Sequence, residues 1–554
     1  MLDQRIKFIL GIIFAVLFLG LMGGQMAIRD PRFLAVAAAL CAGGVVVFRG
    51  INVEGLSAFQ ALFYILFLIV LVITWTPFKM LGYLTPVILM GGLILGLATS
   101  NDARPLLRLI AVVLVWSLIT IVHKAFTPNF ITQNSIISWF TYATFFAVYI
   151  IPSKMLASRP LFFKIAGAMT AMVLLQAVVG ILQFAYGAAF SGMPAHILGD
   201  WVEGTINPAF RTGGGYESAM FTTNIASAAL FLAAAYFRGY KKCRWPLLLA
   251  LIAFLMADRV HVSVTLIAAV FLAYIWLRPP LARGSASARF SMAAAVGVVL
   301  LIGAIVSWDR IGHTPVKMEQ VRAGRNPKAQ LYEITLKTLP QYYTYYPLWG
   351  LGPGQFASRA SIIAAGYLGA LPAPFKFKTS DPLNLHGIPL WQDYFYNRYR
   401  GSLDRPAASW ASFISEFGFV AAFLLVLLMI RILLRARSAI QSKLDRVDVF
   451  FLAGNLIFIF SLGITDYYWE TCQAVFIGSL LVKLLYANII YRTLDESADE
   501  GQPIPAPLPA TRFTPSGYPS AAALSPRTRL PGAQAQTRRT PHTPTRRDGP
   551  PFLR

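Results

Sequence analysis

The sequence predicts an all-α polytopic integral membrane protein, with about 12–14 transmembrane helices, one large outward-facing loop and a disordered C-terminal tail. Three observations predict it. Only 13% of the 554 residues are charged and 56% are hydrophobic, whereas a soluble domain carries about 25% charged residues. Apolar runs of spanning or near-spanning length follow one another along the chain. A single long polar stretch, Trp308 to Trp410, interrupts them; at about a hundred residues it far exceeds an ordinary connection and reads as functional.

The N-terminus carries Arg5 and Lys7 before an apolar run but lacks a clear small-x-small cleavage site, so it reads as a retained first helix. Expected spans are Phe8–Gly24, Phe33–Phe48, Ala58–Trp75, Met80–Ala98, Leu106–Val122, Ile136–Ile151, Ile165–Phe184 and Ser218–Phe237. Phe290–Trp308, Ala411–Leu433, Val449–Thr465 and Thr471–Leu485 follow. Pro246–Leu277 is too long for one crossing and holds Asp258 and Arg259, so two short helices meeting at that pair fit better. The organisation is therefore a helix bundle over 1–307, the loop at 308–410 with short helices, further spans over 411–491, and a Pro/Arg-rich tail over 492–554. The tail has an acidic start (Asp495, Glu496, Asp499, Glu500) and an arginine-rich end, and nothing in it can bury a core.

Basic residues set the orientation. With the N-terminus inside, the inner connections hold Arg104, Arg108, Lys154, Arg159, Arg238, Lys241, Lys242 and Arg244. They also hold Arg278, Arg283, Arg289, Arg435, Arg437, Lys443 and Arg446, while the short outer ones hold few, such as Lys79 and Lys124. Both termini then lie inside, and the 308–410 loop, 192–216 and the Asp258-Arg259 turn face out. The net charge of +24 is accounted for by topology and by contact with anionic lipid, so nucleic acid is not an expected partner. Cys41, Cys243 and Cys472 are dispersed and the six histidines are scattered, so no metal site or disulfide framework is expected.

Arg259, at the end of an apolar run, must pair, snorkel or line a wet cavity. It either joins Asp258 or offers a planar fork to an anion such as phosphate. Arg211 precedes Gly213-Gly214-Gly215, where the backbone can come close to a ligand, although no Walker lysine follows. Asn224 reads as a helix-to-helix hydrogen bond. Arg322 and Arg325 open the long loop, as a solvated basic face or as anion contacts, and Gly350 to Phe356 (GLGPGQF) reads as a turn. Tyr345, Tyr346, Trp349, Trp391 and Tyr394 suit either a membrane-interface belt or flat ligands with an apolar face and polar edges. Candidate acids and bases are His386, Asp381, Asp393 and Glu416, the last near the outer end of a helix, where it is paired structurally or belongs to a site.

Four segments carry a resemblance. PAFRTGGGYESAMFTTNIASAAL resembles the Arg…Gly-aromatic…Asn segment of the O-antigen ligase and O-antigen polymerase superfamily, and MADRVHVSVTLIAAV looks like its Ser-Arg-Gly segment. RNPKAQLYEITLKTL followed by GLGPGQF is similar to the opening of its large outside loop and its Gly-x-Gly-Pro-Gly signature. SWASFISEFGFVAAFLL is similar to the Glu-x-Gly helix that follows. Order and spacing agree from about residue 201 to 434.

The resemblance implies a metal-independent, cofactor-free glycosyltransferase of the GT-C type in the bacterial inner membrane, with both termini cytoplasmic and a periplasmic active site. It would move a glycan from a polyprenyl diphosphate carrier to an acceptor hydroxyl. Carried onto this chain, Arg211, Arg259 and Arg325 would meet the diphosphate. Arg322, Tyr345, Tyr346, Trp349, Trp391 and Tyr394 would line the glycan, and His386, Glu416 or Asp393 would supply the base. Two positions depart from the pattern: Ala407 stands where the ligases place a histidine, and Asp258 where the family shows serine. The first departure favours polymerisation of O-antigen or exopolysaccharide repeat units over ligase-type transfer to lipid A core or protein. Expected partners are the lipid-linked glycan, the bilayer and other polysaccharide export or assembly proteins. A flippase is the alternative of another class, although the duplicated halves common in transporters are absent from the sequence; a noncatalytic envelope scaffold docking through the tail is the third.

Overall fold

The computed structural model describes residues 53–75, 82–98, 104–190, 198–207, 216–257, 259–278, 326–366, 378–396 and 405–491, with 319 and 493–494. The expected spans Phe8–Gly24, Phe33–Phe48 and Phe290–Trp308, and 492 and 495–554 of the tail, lie outside them. Among the described residues there is no strand, and seven helices are long and apolar enough to cross a membrane.

In chain order the helices are α1 (Ala58–Thr74), α2 (Thr85–Ala98), α3 (Arg104–Phe126), α4 (Thr132–Thr141), α5 (Ala143–Ile150), α6 (Arg159–Phe190) and α7 (Tyr216–Phe237). Then come α8 (Arg244–Met256), α9 (Val260–Leu277), α10 (Pro327–Glu333), α11 (Arg359–Ala364), α12 (Ile388–Tyr396), α13 (Ser409–Ser438), α14 (Lys443–Thr465) and α15 (Cys472–Tyr491). α14 and α15 are apolar nearly all round and buried, with α7 and α9 packed on α14 and α7 again on α15. Small residues permit this: a Cβ on Gly478 would lie 2.7 Å from Ser227 Oγ. Side-chain amides tie the same helices, since Asn224 donates to Gln473 O at 2.8 Å and Asn455 to Ser227 O at 3.2 Å. Asn224 is thus the interhelical hydrogen bond its sequence context indicates. α3 and α13 face outward instead, exposing Leu114, Leu118 and Ile121 on one and Phe423, Leu424 and Leu428 on the other. Apolar stripes of this extent are the lipid contact of a membrane protein.

The chain reversals sort to two ends. One gathers 198–207, the end of α8 and start of α9, the described residues 326–366, 378–396 and 405–410, and the 466–471 turn. There Arg259 meets Asp200 at 2.5 Å, Tyr332 donates to Ile464 O at 2.9 Å and His261 Nε2 lies 2.8 Å from the Tyr468 hydroxyl. The other end carries the basic connections. Arg238, itself buried, binds Asp445 at 2.6 Å and Asp448 at 2.7 Å, and donates to Leu494 O at 3.2 Å. This buried triad fastens α7 to α14 and to the segment after α15; the two carboxylates make the arginine tolerable there.

Two expected spans take a different form. Ile136–Ile151 is two short helices meeting at Tyr142, because α4 buries Asn134, Ser135, Ser138 and Thr141. A helix with that polar face belongs inside protein, not against lipid. Ala411–Leu433 lies in α13, which is broken at Gly418 (φ 81°, ψ 173°). The Pro246–Leu277 run does divide, α8 ending at Met256 and α9 beginning at Val260.

Candidate functional site

The described residues of the 326–410 stretch build a small helical module on the loop end. Asn326 caps α10 by accepting from the amides of Lys328 and Ala329, and Pro327 fits the first helical turn. One core unites Leu331, Leu339, Tyr346, Leu351 and Phe356; a second unites Ile362, Leu383, Trp391, Ala407 and Tyr467.

Between them runs Gly350-Leu351-Gly352-Pro353-Gly354. Its three glycines have φ of 73°, 96° and 75°, a region that side chains disfavour. Close approach constrains them too. A Cβ on Gly350 would lie 2.4 Å from the Glu416 carbonyl carbon, and one on Gly354 would lie 2.3 Å from Asn134 O. The break at Gly418 interrupts the hydrogen-bond ladder of α13, and the turn repairs it: Leu351 N donates to Ser415 O and Gly352 N to Glu416 O, both at 2.9 Å. The Gly-x-Gly-Pro-Gly and Glu-x-Gly segments are thus the two halves of one backbone interface.

α3 and α4 hold the other side of the turn. His123 Nε2 lies 2.7 Å from Trp349 O, and Thr127 donates to Leu351 O at 2.7 Å. The buried Gln355 amide accepts from Ile131 N at 2.8 Å and donates to Ile131 O at 3.0 Å. Gln355→Leu keeps the volume but leaves the Ile131 amide without its acceptor, an expected cost of about 1–3 kcal/mol. It should appear as a lower thermal midpoint of the detergent-solubilised chain; an unchanged midpoint would show that the clamp contributes nothing.

Beneath the turn lie two carboxyls with no exposed surface, Glu416 of α13 and Glu470 of the 466–471 turn. Ser138 Oγ is 3.4 Å from Glu416 Oε2, the amides of Gly354 and Phe356 lie close, and Oε1 has no aligned hydrogen-bond partner. Glu470 accepts from the Arg359 amide, and the Arg359 guanidinium donates to the Tyr83 hydroxyl. Burial, and after it the neighbouring Glu416, push the Glu470 carboxyl well above the usual carboxylate range. Folding therefore favours its protonated form; that contribution is complete below the ordinary carboxylate range and is lost as pH rises through the elevated value. Both carboxyls are enclosed, so in this arrangement a bulky substrate does not reach Glu416.

Arg259 is the N-cap residue of α9. Besides Asp200 it engages Ser218 Oγ at 3.1 Å, and its side chain is 12% exposed. Among the described residues, Arg259 thus forms an ion pair with Asp200, across a chain reversal. Arg211, Arg322 and Arg325 lie outside the described residues, as does Asp258. The flanks of Arg211 are anchored: Gln183 accepts from the amides of Glu203 and Gly204 and donates to Asn207 O, and α7 begins at Tyr216.

His386 occupies a π-turn, Leu383–Gly387, edge-on to the Tyr342 ring at 5.3 Å. Its Nε2 is buried without a hydrogen-bond partner, and desolvation lowers its pKa, which favours the neutral, proton-accepting ring. Of the candidate aromatics, Trp349 is exposed and Tyr345 and Tyr394 are half-buried. Tyr346 and Trp391 are packed inside the two module cores, the Tyr346 hydroxyl donating to Thr335 O at 2.7 Å. Asp200 and Glu470 were not singled out by sequence. Glu470 did carry a signal, an acid among aromatics (DYYWET) between two apolar runs. No family model matches the chain, and comparison with curated proteins yields no match.

Proposed function

We propose that this chain is an integral-membrane glycosyltransferase that polymerises polyprenyl-diphosphate-linked repeat units into O-antigen or exopolysaccharide. The loop end is periplasmic and both termini are cytoplasmic, in keeping with the basic residues gathered at the opposite end. The acceptor hydroxyl attacks the anomeric carbon of the lipid-linked glycan, the bond to the diphosphate oxygen breaks, and the leaving group takes up negative charge. Guanidinium groups already in place stabilise that charge without reorganisation, which in many enzymes accounts for most of the rate enhancement. A base removes the acceptor proton as the new bond forms, and His386, neutral and half-buried on the module, is the described group best suited to it.

The observation that carries this reading is the joining of the Gly350–Gly354 turn to the Glu416–Gly418 break, at the same end of the bundle as Arg259. Ala407, packed without exposed surface beside Trp391 and Tyr467, supports polymerisation over ligase-type transfer, because no base stands where the ligases place theirs. Purified protein supplied with lipid-linked repeat unit alone should produce a ladder of longer lipid-linked products. Transfer only onto added lipid A core or protein would replace the polymerase reading with the ligase one, and no transfer in either case would remove both.

A further inference from the structure

Asn134 stands in the first turn of α4 with no exposed surface. Among the described residues neither its side-chain nitrogen nor its side-chain oxygen has a hydrogen-bond partner. An unmade bond on a buried polar group is costly, and native structures seldom leave one. A third such atom lies close by. Glu416 Oε1 is also buried and also lacks an aligned partner.

Contacts on two sides bring the carboxyl and the amide together. Ser138, one helical turn after Asn134 on the same buried face of α4, places its Oγ 3.4 Å from Glu416 Oε2. The glycine turn touches both residues. Gly352 N donates to Glu416 O at 2.9 Å, and a Cβ on Gly354 would lie 2.9 Å from Asn134 Cβ and 2.3 Å from Asn134 O. Side chains one turn apart on a helix are about 5–6 Å from each other. The Asn134 amide is therefore beyond direct bonding distance of the carboxyl, yet within reach of it through one small bridging group.

The chemistry of the three atoms selects that group. Asn134 Nδ2 carries hydrogens to give, whereas Asn134 Oδ1 and the carboxylate oxygen of Glu416 need hydrogens to accept. Water does both, taking a hydrogen from Nδ2 and giving one to Oε1. A cation accepts no hydrogen bond from the amide. It would also face the Ser138 hydroxyl and the Gly354 amide, which already turn their hydrogens toward this carboxyl.

We infer that Asn134 and Glu416 hold an ordered water molecule between them, enclosed by α4, α13 and the glycine turn. The site does not depend on the glycosyl transfer proposed above and stands if that reading fails.

The full chain, in lipid nanodiscs and bound to an antibody fragment, is imaged by cryo-electron microscopy at a resolution that shows ordered water. A peak about 2.6–3.2 Å from both the Asn134 amide and Glu416 Oε1 is expected. It should be unchanged when choline replaces sodium and potassium in the buffer. Asn134→Leu keeps a branched side chain but removes its donors and acceptor, so the peak should vanish. Asn134→Ala opens room for a second water, so the peak on Glu416 should remain. If Asn134→Leu does not fold, wild type and Asn134→Ala decide. Four results overturn the site: direct contact between the Asn134 amide and Glu416, no peak in wild type or Asn134→Ala, a peak that survives in Asn134→Leu, or one lost with sodium and potassium.

Discussion

Arg259→Ala is expected to lower polymer formation at least a hundredfold while the protein remains in the membrane in normal amount. A preorganised donor that meets developing charge contributes about 10²–10³ in rate, and loss of a guanidinium also removes the bidentate fork that suits a diphosphate. The ion pair with Asp200 at 2.5 Å supplies the control. Were the arginine present only to hold the 198–207 segment to α9, Asp200→Ala would break the same contact and match the loss. If the guanidinium meets the diphosphate, Asp200→Ala should keep most of the activity and Arg259→Lys only a small part of it, because an ammonium cannot reproduce the fork. Polymer of normal length and amount from Arg259→Ala, or equal losses in the alanine variants of Asp200 and Arg259, refutes the role.

The helical, membrane-type character of the chain was legible because hydrocarbon imposes one simple demand, long apolar runs with satisfied backbones. Asn224 was legible for a related reason, as a lone amide in a run of small apolar residues. The break between α8 and α9 announced itself by charge. By contrast, α4 hides because only Ser138 and Thr141 of its buried polar residues fall within the apolar run, and hydroxyls lower hydropathy little; Asn134 and Ser135, just before the run, share the same buried face. The aromatics of the long loop divide between core and surface by tertiary packing alone: Tyr345 and Tyr346 are adjacent, yet the first is half-buried and the second enclosed. No local pattern separates them. The acid pair was half legible. Glu416 stood out inside a span, but that Glu470 is buried near enough to influence it depends on how the 466–471 turn folds, 54 positions further along the chain.

Gly418→Ala tests the central interface, and here sequence and structure predict opposite signs. In a helix interior, replacing glycine by alanine should stabilise by about 1 kcal/mol. In this fold the same change should destabilise by about 3 kcal/mol or more, since it combines a positive-φ strain of about 1–3 kcal/mol with a backbone clash. The added Cβ would lie 2.5 Å from Leu348 O and 2.9 Å from Gly350 N. Neither atom can yield as a flexible side chain would, so the turn must leave Ser415 and Glu416, and the carbonyls it satisfied lose their donors. The expected readout is rapid limited proteolysis within 326–410 together with loss of activity, while the membrane helices stay folded. Gly366→Ala separates strain from clash. Gly366 has the same φ of 81° but open space where its Cβ would go, so it should cost only the strain and leave the module resistant to protease. A Gly418→Ala protein as resistant as wild type would mean that the glycine turn and the broken helix do not hold one another in place.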